Sequence, residues 1–138
     1  MRKRAPLTTA QITDRLREAK LRPTAQRVAV CRFVLCEADH PTAEAVKTWA
    51  DENFSKMSLA TVYNTLGSLV KAGLLREFRF PHTDAIVYDD NVGEHHHFID
   101  ERTGAVEDIP ADAVKVRADL GGRYSLRSVQ VVLRGVKS

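Results

Sequence analysis

Four hydroxyl-bearing helix starts constrain this chain more than any other feature. Thr8 or Thr9, Thr24, Thr42 and Ser58 each stand before a stretch of helical periodicity. A Thr or Ser there accepts a hydrogen bond from one of the first orphan N–H groups of a helix. The first helix is expected to run to about Ala19. The second runs from Ala25 to about Glu37, and its middle, residues 28–35, is apolar almost all round, so it belongs in a core. Asp39-His40-Pro41 stops it, because the residue before a proline is pushed out of helical conformation. The third helix runs to about Asn53. The fourth sets Leu59, Val62, Leu66, Leu69 and Val70 on one face. It ends before Gly73, where a left-handed C-terminal cap is wanted. Residues 74–80 and 85–88 read as two strands joined by a turn at 81–84. Helices followed by a two-stranded hairpin are the order of a winged helix-turn-helix.

The pattern changes after residue 88. Residues 89–94 are polar with a glycine and read as a hinge. Residues 96–100 and 105–109 read as a hairpin closed at 101–104, residues 110–120 as a short helix, and residues 124–134 as a final strand with Val129, Val131 and Leu133 on one face. The fold class is therefore α+β. A winged helix-turn-helix at 1–88 is followed by the hinge and by a small α/β dimerisation domain at 95–138. A core that small is marginal alone, so a homodimer is expected.

Of the 138 residues 43% are apolar, but no apolar run approaches the roughly 18 residues of a membrane span. The basic start Met1-Arg2-Lys3-Arg4 leads into no apolar stretch, which predicts a cytoplasmic protein. Cys31 and Cys36 lie five apart, roughly 140° around a helix, and read as buried structural thiols. No CxxC exists to hold a structural zinc.

Charge is divided along the chain. Residues 1–80 carry 14 Lys/Arg against 8 Asp/Glu, and residues 81–138 carry 7 against 10. The basic half suggests a polyanion partner, and together with the fourth helix it points to double-stranded DNA. Opposite its apolar face, the fourth helix shows Ala60, Asn64, Gly67 and Lys71, flanked by Thr61, Tyr63 and Ser68. Small residues allow close approach to a groove, while Thr61, Tyr63 and Asn64 hydrogen-bond bases or phosphates. Arg27 on the second helix, with Arg76 and Arg79 on the wing, is placed to meet phosphates. The DNA-facing set is Arg27, Ser58, Ala60, Thr61, Tyr63 and Asn64.

The acidic half carries His95-His96-His97. Alternate residues of a strand share a face, so His95 and His97 aim at one ion while His96 points away. With Asp89, Asp90, Glu94, Asp100, Glu101, Glu107 and Asp108 nearby, the donors suit Fe, Mn or Zn. A catalytic zinc-type site in a small metallohydrolase, with Glu94 or Glu107 as base, is the alternative reading. The chain offers no further domain to shape a substrate pocket, so no enzyme activity is expected.

The strings Arg22-Pro23-Thr24-Ala25-Gln26-Arg27, His40-Pro41-Thr42-Ala43-Glu44, Met57-Ser58-Leu59-Ala60-Thr61-Val62-Tyr63-Asn64-Thr65-Leu66 and His95-His96-His97 resemble the ferric uptake regulator family over about residues 10–135. That resemblance implies a homodimeric repressor whose winged helices grip a palindromic operator when a regulatory metal closes the dimer. Carried over by position, the regulatory ligands are His40, Asp89, His95, His97 and Asp108, holding Fe(II) or Mn(II), with Zn acceptable in vitro. Asp at the second and last of these positions is similar to the peroxide-stress subgroup, a resemblance that implies His40 and His95 as the peroxide-sensitive residues. One ion bridging both parts favours the arrangement it binds best. Imidazole binds metal as the neutral base, so acid weakens the site.

Asp100 and Thr103 occupy the place of the family's first structural-zinc cysteines, so no four-cysteine structural zinc is expected. Arg127 falls where a second metal site has its histidine. The triplet and the missing cysteines also resemble the iron response regulator subgroup, which implies haem at His95, His96 and His97 as the alternative signal. No Cys-Pro haem motif stands near the N-terminus.

Overall fold

All four expected caps are made in the computed structural model, which describes residues 6–54 and 57–138. The basic run Met1-Arg2-Lys3-Arg4 lies outside the described residues. Thr8 Oγ1 accepts from Gln11 N at 3.1 Å and Gln11 Oε1 accepts from Thr8 N at 2.8 Å, a reciprocal capping box that opens α1 (Thr9–Glu18). Thr24 accepts from Arg27 N and opens α2 (Ala25–Arg32). Thr42 accepts from Ala45 N and opens α3 (Ala43–Asn53). Ser58 accepts from Thr61 N and opens α4 (Leu59–Lys71). Gly73 takes φ +78°, the left-handed conformation that closes α4.

Helix α2 reaches Glu37 as expected, but its end widens into a π turn over Phe33–Glu37. There the Ala38 N–H donates to the Phe33 carbonyl five residues back, at 2.7 Å. Within that turn Phe33 lies flat on Trp49 of α3, with ring centroids 4.3 Å apart. Ile12 and Leu16 of α1, Val30 and Cys31 of α2, Val46 and Ala50 of α3, and Val62, Leu66 and Leu69 of α4 form the core.

Two sequence expectations need correction here. Leu59, assigned to the buried face of α4, is 38% exposed, because it sits in the first turn, where the helix has not yet reached the core. Cys31 is buried as expected, whereas Cys36 is half-buried. Burial pushes the Cys31 thiol up to about 12, and the Cys36 thiol adds to the rise against the pull of Arg15 and Arg32. The thiolate is the reactive form. At pH 8, iodoacetamide should therefore label Cys36 and spare Cys31 in the folded protein, and label both in denaturant. Equal native labelling in a peptide map would contradict the burial of Cys31.

β1 (Arg76–Arg79) and β2 (Ile86–Asp89) form the antiparallel wing, with Arg76 opposite Asp89. Both strands start later than the sequence suggests, and β2 runs one residue further, to Asp89.

The chain divides into two units between Val92 and Gly93. The second holds a three-stranded sheet in the order β4-β3-β5. β3 (His95–Asp100) pairs antiparallel with β4 (Val106–Pro110) and parallel with β5 (Val132–Gly135). Gly104, at φ +78°, closes the β3–β4 turn. The expected helix over 110–120 is a single 3-10 turn, Ala111–Ala113, and the expected strand over 124–134 shrinks to β5. Val114–Leu120 is too short to hold a helix without a packing face, and its Val116 and Leu120 are exposed, as are Tyr124 and Leu126. Among the described residues, the buried side chains of this unit are His95, His96, His97, Ile99 and Val106. No helix among the described residues is long and apolar enough to cross a membrane.

Candidate metal centre and nucleic-acid face

In the second unit, strand periodicity places His95 and His97 on one face of β3, and the β3–β4 register sets Asp108 directly across from His97. The Nε2 atoms of His95 and His97 are 3.1 Å apart. Asp108 Oδ1 lies 3.5 Å from each of them. His95 Nδ1 meets the Gly93 carbonyl at 2.7 Å. A carbonyl accepts and never donates, so the neutral ring carries its hydrogen on Nδ1 and leaves a lone pair on Nε2. Donors about 2.1 Å from a divalent ion stand roughly 3.0 Å apart at right angles and roughly 3.4 Å apart at tetrahedral angles. The observed triangle of donors has that size. The His95 and His97 side chains are nearly or fully buried and Asp108 is 14% exposed, so little water competes for them.

The first unit builds a second group of donors. Tyr88 N donates to the Pro41 carbonyl at 2.9 Å, and Thr42 bridges to Val87, so the loop before α3 lies along β2. This holds His40, itself at φ +48°, beside Asp89 at the end of β2. His40 Nε2 is 3.2 Å from Asp89 Oδ2, while His40 Nδ1 is 2.6 Å from Asp39 Oδ1. With one ring hydrogen given to Asp39, the ring in its neutral form turns a lone pair toward a carboxylate oxygen. Two acceptors at that distance are stable with a proton or a cation between them. Asp89 is fixed from its other oxygen, Oδ1, which accepts from Asn91 N at 2.9 Å.

All five ligand candidates thus fall into two local groups, His40 with Asp89 and His95 with His97 and Asp108. The supporting groups Asp39, Asn91 and Gly93 are not singled out by the sequence. Adjacency to a candidate ligand is the available signal for each. His96 is a correction: it faces away from its neighbours as expected, but it is buried, and its Nδ1 accepts from Val131 N at 3.1 Å.

The outer face of α4 shows Ala60, Tyr63, Asn64, Gly67 and Lys71 exposed, with Thr61 half-buried. Ser58 is committed to its cap and shares a 2.9 Å hydroxyl contact with Thr61. The Tyr63 hydroxyl donates to Glu44 Oε1 of α3 at 2.9 Å. Arg27 is half-buried and donates from Nη1 to the Arg22 carbonyl at 3.1 Å. Arg76 on the wing stacks over Phe78 at 4.8 Å.

The ferric uptake regulator family matches residues 18–133. The peroxide-responsive repressor PerR of Staphylococcus aureus (strain Mu50 / ATCC 700699) is 32% identical over 93 residues, 67% of this chain and 62% of that protein. The chain therefore spans less than two thirds of the length of that curated relative. Among solved structures, the ferric uptake regulator of Pseudomonas aeruginosa with manganese is 26% identical with a TM-score of 0.65, covering 91% of this chain and 96% of its own. PerR from Streptococcus pyogenes, described in terms of peroxide sensing and gene regulation, is 26% identical with a TM-score of 0.55, covering 99% of this chain and 95% of its own.

Proposed function

The chain belongs to the ferric uptake regulator family, and from that premise we propose that it is a metal-dependent DNA-binding repressor of the peroxide-responsive kind. Its regulatory Fe(II) or Mn(II) would be held by His40, Asp89, His95, His97 and Asp108. The observation that carries the reading is the buried triangle of His95 Nε2, His97 Nε2 and Asp108 Oδ1, whose edges of 3.1–3.5 Å suit a divalent ion. Mixed imidazole and carboxylate donors, with no thiolate, favour iron and manganese over a soft-metal site.

The division of labour follows the chain. The part before the hinge at 89–94 reads a palindromic operator with α4, using Ser58, Ala60, Thr61, Tyr63 and Asn64, and anchors on phosphates with Arg27. The part from residue 95 senses metal and pairs with a second copy in the cytoplasm. The ligands come from both parts, so metal binding favours one arrangement of the two over others. Gly93 and Asp39 hold the hydrogens of His95 and His40 away from the ion. When bound, iron would supply the redox chemistry that answers peroxide, and the peroxide would be the source of the oxygen taken up by His40 or His95.

The test is anaerobic purification with metal analysis, then peroxide treatment and peptide mass spectrometry. One added oxygen on the His40 or His95 peptide is expected with iron bound and absent with manganese. DNA binding of equal strength with and without metal would sink the regulatory reading.

A further inference from the structure

Tyr63 is 41% exposed on the outer face of α4, yet its hydroxyl is not left to solvent. It donates across to Glu44 Oε1 in the first turn of α3 at 2.9 Å. The two helices that carry this pair are fixed by buried neighbours, Val46 and Ala50 on α3 and Val62 and Leu66 on α4, so the bond joins two rigid positions. That hydrogen bond, more than the lost water or the Glu44 charge, pushes the Tyr63 phenol above the ordinary tyrosine range.

Its consequence for recognition is chemical. A phenol owns one O–H. Once that hydrogen is given to Glu44, the hydroxyl keeps lone pairs and the ring keeps its apolar faces. In a major groove such a group accepts from adenine N6 or cytosine N4, or packs on a thymine methyl. It no longer donates to phosphate, guanine O6 or thymine O4. The Glu44 carboxylate meanwhile repels phosphate at every sequence.

Resting on the DNA-binding reading above, we propose that Glu44 is a positioning residue for sequence recognition. It holds Tyr63 as an acceptor and apolar surface at the base edges, lowering affinity for DNA in general and raising discrimination between sequences.

The test uses the full chain loaded with Mn(II) and a pool of duplexes with a randomised central segment. The wild type should enrich one site. Glu44→Ala and Tyr63→Phe should lose preference at the same base positions, each by about tenfold, the size of one good base contact. Glu44→Gln keeps an acceptor without the charge, so it should retain the site and bind the unselected pool more tightly than the wild type. Enrichment of the wild-type site to the wild-type degree by Glu44→Ala would overturn the proposal. Should that variant fail to fold by circular dichroism, Tyr63→Phe decides in its place, and unchanged preference there overturns it equally. If the wild type enriches no sequence, the DNA-binding reading itself fails and the positioning role falls with it. A site enriched by wild type and variants alike removes the positioning role and leaves that reading standing.

Discussion

In Asp108→Asn, Mn(II) should no longer strengthen DNA binding, while the metal-free fold is kept. Asparagine has the same shape, and the Asp108 side chain is 14% exposed, so packing against His95 and His97 survives the change. What disappears is a negative charge facing two imidazole nitrogens at 3.5 Å. A divalent ion gathered by neutral rings and carboxylates depends on those carboxylates for charge balance. Replacing even an outer partner of a ligand costs roughly 10–100-fold in affinity, so loss of this direct donor should cost on the order of 100-fold or more. Mn(II) titration by calorimetry, paired with fluorescence anisotropy on a DNA duplex with and without Mn(II), reads both effects. Wild-type manganese affinity in this variant would remove Asp108 from the site and leave the triangle without its anion.

The second large effect lies in the core of the winged helix. Leu66 is fully buried at the centre of the packed face of α4. Leu66→Ala removes apolar area and leaves a cavity, so it should cost about 3 kcal/mol or more. For a unit of this size that is a fall of roughly 12 °C or more in the thermal midpoint. Leu59→Ala, on the same nominal stripe but 38% exposed, should change the midpoint by a small fraction of that. Thermal melts of the two variants followed by circular dichroism check the contrast. Equal losses would mean that the first turn of α4 is packed as deeply as its middle.

Those two leucines show how far the sequence can be read. Helical spacing places both on one face, and it does so correctly. What spacing lacks is depth, since a residue in the first turn lies at the margin of the packed surface. The four caps are legible because they are local chemistry, a hydroxyl reaching an N–H three residues on. The pairing of His95 with His97 is legible for a similar reason, the two-residue period of a strand. Features set by distant chain are not legible. Nothing near His96 in the chain signals that its face of β3 is covered, yet Val131, entering β5, reaches it from 35 residues away. The π turn at Phe33–Glu37 leaves no mark in the apolar pattern. The stretch over 110–131 reads as helical and then extended by composition, yet its exposed apolar residues have no surface within their own unit to settle on.

The buried interior of the second unit carries a consequence for regulation. Among its described residues five side chains are buried, three of them histidines, and two of those are proposed ligands. The groups proposed to hold the ion are thus also part of what holds the unit together. Binding free energy and folding free energy become the same quantity in such a site. If a second copy supplies the missing apolar cover, pairing and metal uptake draw on one shared equilibrium, and each strengthens the other. The threshold at which the metal is sensed is then set partly by how many copies of the protein the cell holds. Raising its expression lowers the ion concentration needed for half-saturation, with no residue of the site altered.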